Sequence, residues 1–100
     1  TASPIYTNPA STKTYINEFE LHNTNTTPET VKLYNVPDSG GAAGTAGTGN
    51  RFLNITLAAN ETFLVSYRSP KTLTDAGDSI QAETTTASKV TIQIHGDKDS

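Results

Sequence analysis

The sequence contains no cysteine, which excludes disulfide staples, a thiolate nucleophile and any cysteine-based zinc site. Redox compartment is therefore left open. Clustered positive charge is also missing: Lys13, Lys32, Arg51, Arg68, Lys71, Lys89 and Lys98 are scattered, and the net charge is −3. Binding driven by phosphate neutralisation needs a basic face, so no nucleic-acid partner is expected. No apolar run approaches the roughly 18–20 residues of a membrane helix, and no charged-then-apolar leader is present, so no membrane partner is expected. The chain opens Thr1-Ala2-Ser3. Small residues in this place are what initiator-methionine trimming leaves, and a trimmed chain would read the same.

Large apolar residues are sparse, with 33% hydrophobic residues against about 45–50% in ordinary globular chains. They are not spread evenly. They fall in short alternating segments in which Thr, Val, Ile and Tyr recur, and such residues suit the half-buried surface of a strand. One hundred residues suffice for a single modest core. About seven strands at short spacing, with no helical periodicity, predict one all-β domain over 1–100. The fold expected is an antiparallel β-sandwich, immunoglobulin-like or jelly-roll.

One stretch departs from this pattern. Residues 37–50, Pro-Asp-Ser-Gly-Gly-Ala-Ala-Gly-Thr-Ala-Gly-Thr-Gly-Asn, hold five of the seven glycines and no large apolar side chain. Such a run cannot bury enough surface to offset its ordering entropy. It is expected to be a long loop dividing two hairpin pairs, mobile in the free chain and ordered where a neighbour touches it. It is no phosphate cradle. Gly49 is followed by Asn50-Arg51 rather than by Lys and Ser or Thr, and a strand, not a helix, comes next.

Along the chain, residues 1–13 carry two prolines and the apolar pair Ile5-Tyr6, which suits an N-terminal arm or an edge strand. From Thr14 to Thr24, Phe19, Leu21 and Asn23 share one face and Glu18, Glu20 and His22 the other. Ile16 reaches the core side only if a bulge lies near Asn17 or Glu18. Thr30 to Val36 is the next strand, expected to pair with the first through an Asn-Thr turn. Arg51–Leu57 and Thr62–Tyr67 are expected to form a second, central hairpin, with Ser69-Pro70-Lys71 breaking the strand. Ile80 and Ala82 point inward in the next strand. Val90, Ile92 and Ile94 do so in the last, before a charged tail at 97–100.

Catalytic constellations are not apparent. Glu18, Glu20 and His22, with His95 if the first and last strong strands are neighbours, could ligate a divalent metal; a solvated strand face is the plainer reading. Asp75, Gly77 and Asp78 resemble part of a calcium loop without its twelve-residue pattern. Turn chemistry accounts for them: Gly77 supplies a positive φ and Asp78 bonds local backbone. No cofactor and no metal are expected, and with no acid–base pair in view the chain is not read as an enzyme. Three glycosylation sequons, at Asn25, Asn54 and Asn60, are near chance for so Thr-rich a chain. Among the aromatics, Tyr34 is the best candidate for an exposed contact.

Four stretches, taken in order, resemble small β-sandwich structural proteins of tailed-bacteriophage virions. They are Glu20-Leu21-His22-Asn23-Thr24-Asn25 with Val31-Lys32-Leu33-Tyr34; Thr56-Leu57-Ala58-Ala59-Asn60-Glu61-Thr62; Leu73-Thr74-Asp75-Ala76-Gly77-Asp78-Ser79-Ile80-Gln81-Ala82; and Val90-Thr91-Ile92-Gln93-Ile94-His95-Gly96. The resemblance implies a virion location and a capsid decoration (cement) protein, or alternatively a tail or fibre module binding a receptor or carbohydrate. It implies the major capsid protein or other virion proteins as partners, and a homo-oligomer. It brings no catalytic residue, and the Gly-rich stretch is longer than the resemblance accounts for. Expected partner contacts are Ile5, Tyr6, Tyr34, Gly40, Gly41, Gly44, Gly47 and Gly49.

Overall fold

In a computed structural model, which describes residues 2–86 and 88–99, seven strands form two antiparallel sheets. They are β1 (Ser3–Thr7), β2 (Lys13–Asn23), β3 (Glu29–Val36), β4 (Arg51–Leu57), β5 (Thr62–Leu73), β6 (Ser79–Thr84) and β7 (Val90–Asp99). One sheet has the order β1-β6-β3-β4 and the other β5-β2-β7. The β-sandwich read from the alternation is present. Its strand order is not that of an immunoglobulin domain, whose first two strands are neighbours in one sheet; here β1 and β2 lie in opposite sheets.

The core forms where the inner faces meet. Ile16, Phe19 and Leu21 from β2 pack with Val31 and Leu33 from β3, Leu57 from β4, Leu73 from β5 and Ile80 from β6. The period of two puts Phe19 and Leu21 on one face, and a register shift between Ile16 and Glu18 brings Ile16 to the same side. Asn17 is the extra residue, as the apolar pattern requires.

Four expectations are corrected. β2 and β3 do not pair, nor do β4 and β5; each couple is split between the sheets. Alternation reports which face a side chain takes, not which strand lies beside it. β4 and β5 are edge strands rather than a central hairpin. β5 does not break at Pro70: residues 67–70 form an unpaired bulge between Ser66, paired with Glu18, and Lys71, paired with Ile16, and the ladder resumes to Leu73. An edge position tolerates the missing proline donor. The charged end is also strand, since Asp97, Lys98 and Asp99 pair with Tyr15, Thr14 and Lys13; Ser100 lies outside the described residues. The N-terminal segment takes the edge-strand alternative, with β1 beside β6.

Crossing from sheet to sheet leaves backbone groups unladdered at both ends, and buried polar side chains satisfy them. At one end Asn23, fully buried, donates through Nδ2 to the carbonyls of Thr27 (3.0 Å), Leu57 (3.3 Å) and Ala58 (3.1 Å) and accepts from Asn25 N–H (2.8 Å). Buried Glu29 accepts from Asn25 Nδ2 and from Thr86 N–H. At the other end Asn8 donates to the carbonyls of Thr12 (2.7 Å) and Asp75 (3.0 Å) and accepts from Thr14 Oγ1 (2.7 Å). Removing Asn23 strands several carbonyls at once. Asn23→Ala is expected to lower the unfolding free energy by about 2–3 kcal/mol. Thr24→Ala, which removes only an exposed bond to Lys89 O, should cost less than about 1 kcal/mol. Urea midpoints of the two variants check the contrast.

Candidate functional site

The Gly-rich segment joins β3 to β4, neighbours in one sheet, so it is a hairpin connection rather than a divider between hairpin pairs. It is also bonded to its own sandwich, contrary to the expectation that only a neighbour orders it. Asp38 N–H donates to Asp78 Oδ1 (2.9 Å), and Ser39 and Ala42 exchange a pair of backbone bonds. Gly41 N–H donates to Asp38 Oδ2 (3.1 Å), and Gln81 Nε2 donates to Gly44 O (2.8 Å). A short 3-10 turn, Thr48–Asn50, closes the loop, with Asn50 Oδ1 accepting from Gly47 N–H. Backbone polar groups, not side-chain burial, supply the contacts that composition could not reveal.

The loop lies on one end of the outer face of the four-stranded sheet, at Val36 and Gln81. A Cβ at Gly44 would collide with Pro37 O and stand 3.3 Å from Val36 Cγ1. Val36, Ser79, Gln81 and Tyr34 on this face are buried, although they point away from the core. Tyr34 is therefore not an exposed contact: it is 6% exposed and donates its hydroxyl to Glu83 Oε1 (2.9 Å). Desolvation and then the Glu83 carboxylate push the phenol up, while the same bond holds Glu83 below its ordinary value.

Gly77 and Asp78 lock the start of the loop. Gly77 has φ +93°, and a Cβ there would lie 2.6 Å from Gly41 C, so both conformation and close approach demand glycine. Asp78 accepts three backbone N–H groups, Asp38 on Oδ1 and Thr74 and Asp75 on Oδ2. Burial pushes its carboxyl up, but the N–H groups of Asp75, Asp38 and Thr74 outweigh that and hold it below the ordinary value. Asp38, Asp75 and Asp78 form the one close group of acidic or histidine ligands among the described residues. Their bonding is that of a turn.

The Glu18, Glu20, His22 row lies on the outer face of the other sheet, where β2 and β7 are indeed neighbours and Glu18 sits opposite His95. These groups do not converge. Glu18 accepts from Ser66 Oγ (3.1 Å), and His22 Nδ1 bonds Thr62 Oγ1 (2.8 Å). The face is half-exposed and polar except for Leu64, opposite Glu20 and 56% exposed.

The two long sides of the sandwich differ. Between edges β4 and β5, Phe19, Phe52 and Tyr67 form a ring cluster with centroids 5.6–6.1 Å apart, and Lys71 Nζ stands 4.9 Å from the Phe52 ring and 4.6 Å from that of Tyr67. That side is closed. Between edges β1 and β7 a groove of about 430 Å³ remains, lined in part by Ile5, Ala82, Val90 and Ile92. Ile5 is 40% exposed, whereas Tyr6 is half-buried with its hydroxyl bonded to Thr14 Oγ1. A second shallow cavity, about 390 Å³, lies between Ala2 and Pro4 on one side and Ala43, Gly44, Thr45 and Ala46 on the other. The structure thus brings Ile5 and Gly44 to one side of the molecule. Gly40 and Gly41 are exposed at the Asp78 knot, and Gly47 and Gly49 are exposed near the closing turn. Val90 and Ile92 were not expected to share a groove with Ile5. No sequence signal brings them together before the strand order is known.

Comparison with known protein families, with curated proteins and with solved structures finds no match.

Because the folded value of Asp78 is depressed, its stabilisation is complete above the ordinary carboxylate value, about 4, and is lost as pH falls through the lower folded value. Asp78→Asn also turns an amide N–H2 toward N–H donors. It is expected to lower the thermal midpoint near neutral pH and to flatten the loss of stability below about pH 4. Thermal scans across that window, with Asp99→Asn as an exposed control, check it.

Proposed function

We propose that the chain is a non-enzymatic virion structural protein, a capsid decoration (cement) protein that binds the major capsid protein. The observation that carries this reading is the side of the molecule formed by β1 and the Gly-rich loop. It presents two separate openings: Ile5, 40% exposed, on the groove shared with Val90 and Ile92, and a shallow hollow between Ala2 and Pro4 and the small residues Ala43, Gly44, Thr45 and Ala46, where another chain's backbone can come close. The cavities described are shallow grooves on a sandwich whose polar clusters are committed to its own turns, which suits assembly better than turnover. The sequence resemblance to small virion sandwich proteins gives the class of assembly. Many copies on a symmetric shell need only modest single contacts.

The alternative, a tail or fibre module binding a receptor or carbohydrate, has less support, because Tyr34, the aromatic proposed for stacking, is buried with its hydroxyl bonded to Glu83. Particles purified with and without the protein test the reading. The protein is expected in intact shells, and shells lacking it are expected to open at lower temperature. Ile5→Asp should weaken rebinding to depleted shells by about tenfold or more. Shells of unchanged composition and unchanged thermal stability would overturn the proposal.

A further inference from the structure

Four strands stand at sheet edges, and three of them carry devices that discourage pairing with another chain. β1 has Pro4 and a register shift between Pro4 and Tyr6. β4 has an extra residue at Phe52, between Leu53 opposite Leu33 and Arg51 opposite Tyr34. β5 carries Arg68, Pro70 and Lys71 at its bulge. Bulges, prolines and lysines are the usual means of blunting an edge.

β7 has none of these along its central part. It runs ten residues, Val90–Asp99, and is consecutive through both ladder segments, because the extra residue at the shift, Asn17, belongs to β2. Val90-Thr91-Ile92-Gln93-Ile94-His95 is β-prone, contains no proline or glycine and has no Asp, Glu, Lys or Arg. A window of this kind at an open edge pairs with something.

Its own charge pattern says with what. In an antiparallel pair of two β7 strands about a two-fold axis at Gln93, residue positions sum to a constant, so Lys89 stands opposite Asp97 on both sides of the axis. Ile92 then faces Ile94 twice on the inner face, Val90 faces Gly96, and Thr91 faces His95 on the outer face. Shifting the axis to Ile94 sets apolar Val90 against Lys98, and shifting it to Lys98 sets Asp97 against Asp99. The Ile94 register keeps a Lys–Asp pair, Lys89 with Asp99, but only the Gln93 register among these pairs Lys89 with an aspartate while leaving no apolar residue opposite a charge and no like charges opposed.

We infer that β7 is a homodimer edge: a second copy of this chain adds its β7 antiparallel about Gln93, converting two three-stranded sheets into one six-stranded sheet. The pairing also brings a second chain over Val90 and Ile92 at the rim of the open groove. It does not depend on a virion location, since it concerns the free protein.

Sedimentation equilibrium of the full chain over a micromolar concentration series is expected to give twice the 10.6 kDa chain mass. Lys89→Glu places acid opposite acid at both symmetric sites and should raise the dimer dissociation constant by about tenfold. The double variant Lys89→Glu/Asp97→Lys should restore it. Because the chain has no cysteine, Gln93→Cys is a clean reporter. Directly opposite strand positions lie about 4.5–5.5 Å apart, within disulfide reach, so mild oxidation should give a covalent dimer. Leu64→Cys, on exposed β5, should not. All of these positions are surface sites, and circular dichroism confirms each fold. A monomer at 100 μM, a higher oligomer, or a dimer indifferent to Lys89→Glu with no Gln93→Cys cross-link would overturn the inference. None of these outcomes bears on binding to a capsid shell, which is read from particles.

Discussion

Most of this structure depends on buried amides that hold its sheet crossings. Every connection except β3–β4 passes from one sheet to the other. Each crossing leaves carbonyls and N–H groups without ladder partners in a region closed to water, and an orphaned buried group costs about 1–3 kcal/mol. Asn8 and Asn23, at opposite ends, each bond the turns of more than one crossing. An asparagine suits this place because its amide donates two N–H bonds and accepts at once, whereas a hydroxyl has one hydrogen to donate and an ionised carboxylate none. Glu29 adds a tie from the β2–β3 corner to Thr86 between β6 and β7. The Asn25 amide first, and then Thr86, hold its carboxyl below the ordinary value against desolvation. Such a small core leans on these networks for uniqueness as much as on its apolar residues.

The Gly-rich loop follows the same logic on a sheet face. It brings no apolar mass, yet it lies directly on Val36 because the chain there has no bulky side chains. The anchors are again polar and come from the sandwich: Asp78, Gln81 and Asn50. The Val36–Gln81 end of one outer face is thereby covered, and the other outer face bears Glu18, Glu20 and His22 around exposed Leu64.

Much of the fold was legible in the residues themselves. The bulge at Asn17 follows from Ile16 being out of step with Phe19 and Leu21, and the inward set of the last strand follows from Val90, Ile92 and Ile94. The turn roles of Gly77 and Asp78 were legible too, because glycine and aspartate have few other uses in such a loop. Strand neighbours were not legible. The Asn-Thr turn after β2 has the composition of a hairpin, and nothing local distinguishes a turn that returns along the same sheet from one anchored by Asn23 to cross over. Tyr34 was misplaced for a related reason: alternation set it on the outer face, and only the identity of the neighbouring strand, which brings Glu83 to its hydroxyl, shows that it is held down there.

The sides of the sandwich complete the argument. A two-layer sandwich has two long sides where its core meets solvent, and each must be covered. The β4–β5 side is covered internally by Phe52 and Tyr67, with the Lys71 ammonium over both rings, and bulges in both strands aim those aromatic side chains. The β1–β7 side has no such cluster, and Ile5, Val90 and Ile92 line an open groove. Devices that blunt an edge are found on β1, β4 and β5, so the regularity of β7 is selective rather than general neglect of edges. Sealing on one side and a regular, charge-matched strand on the other give the molecule a direction for assembly that its enclosed core and occupied polar clusters do not.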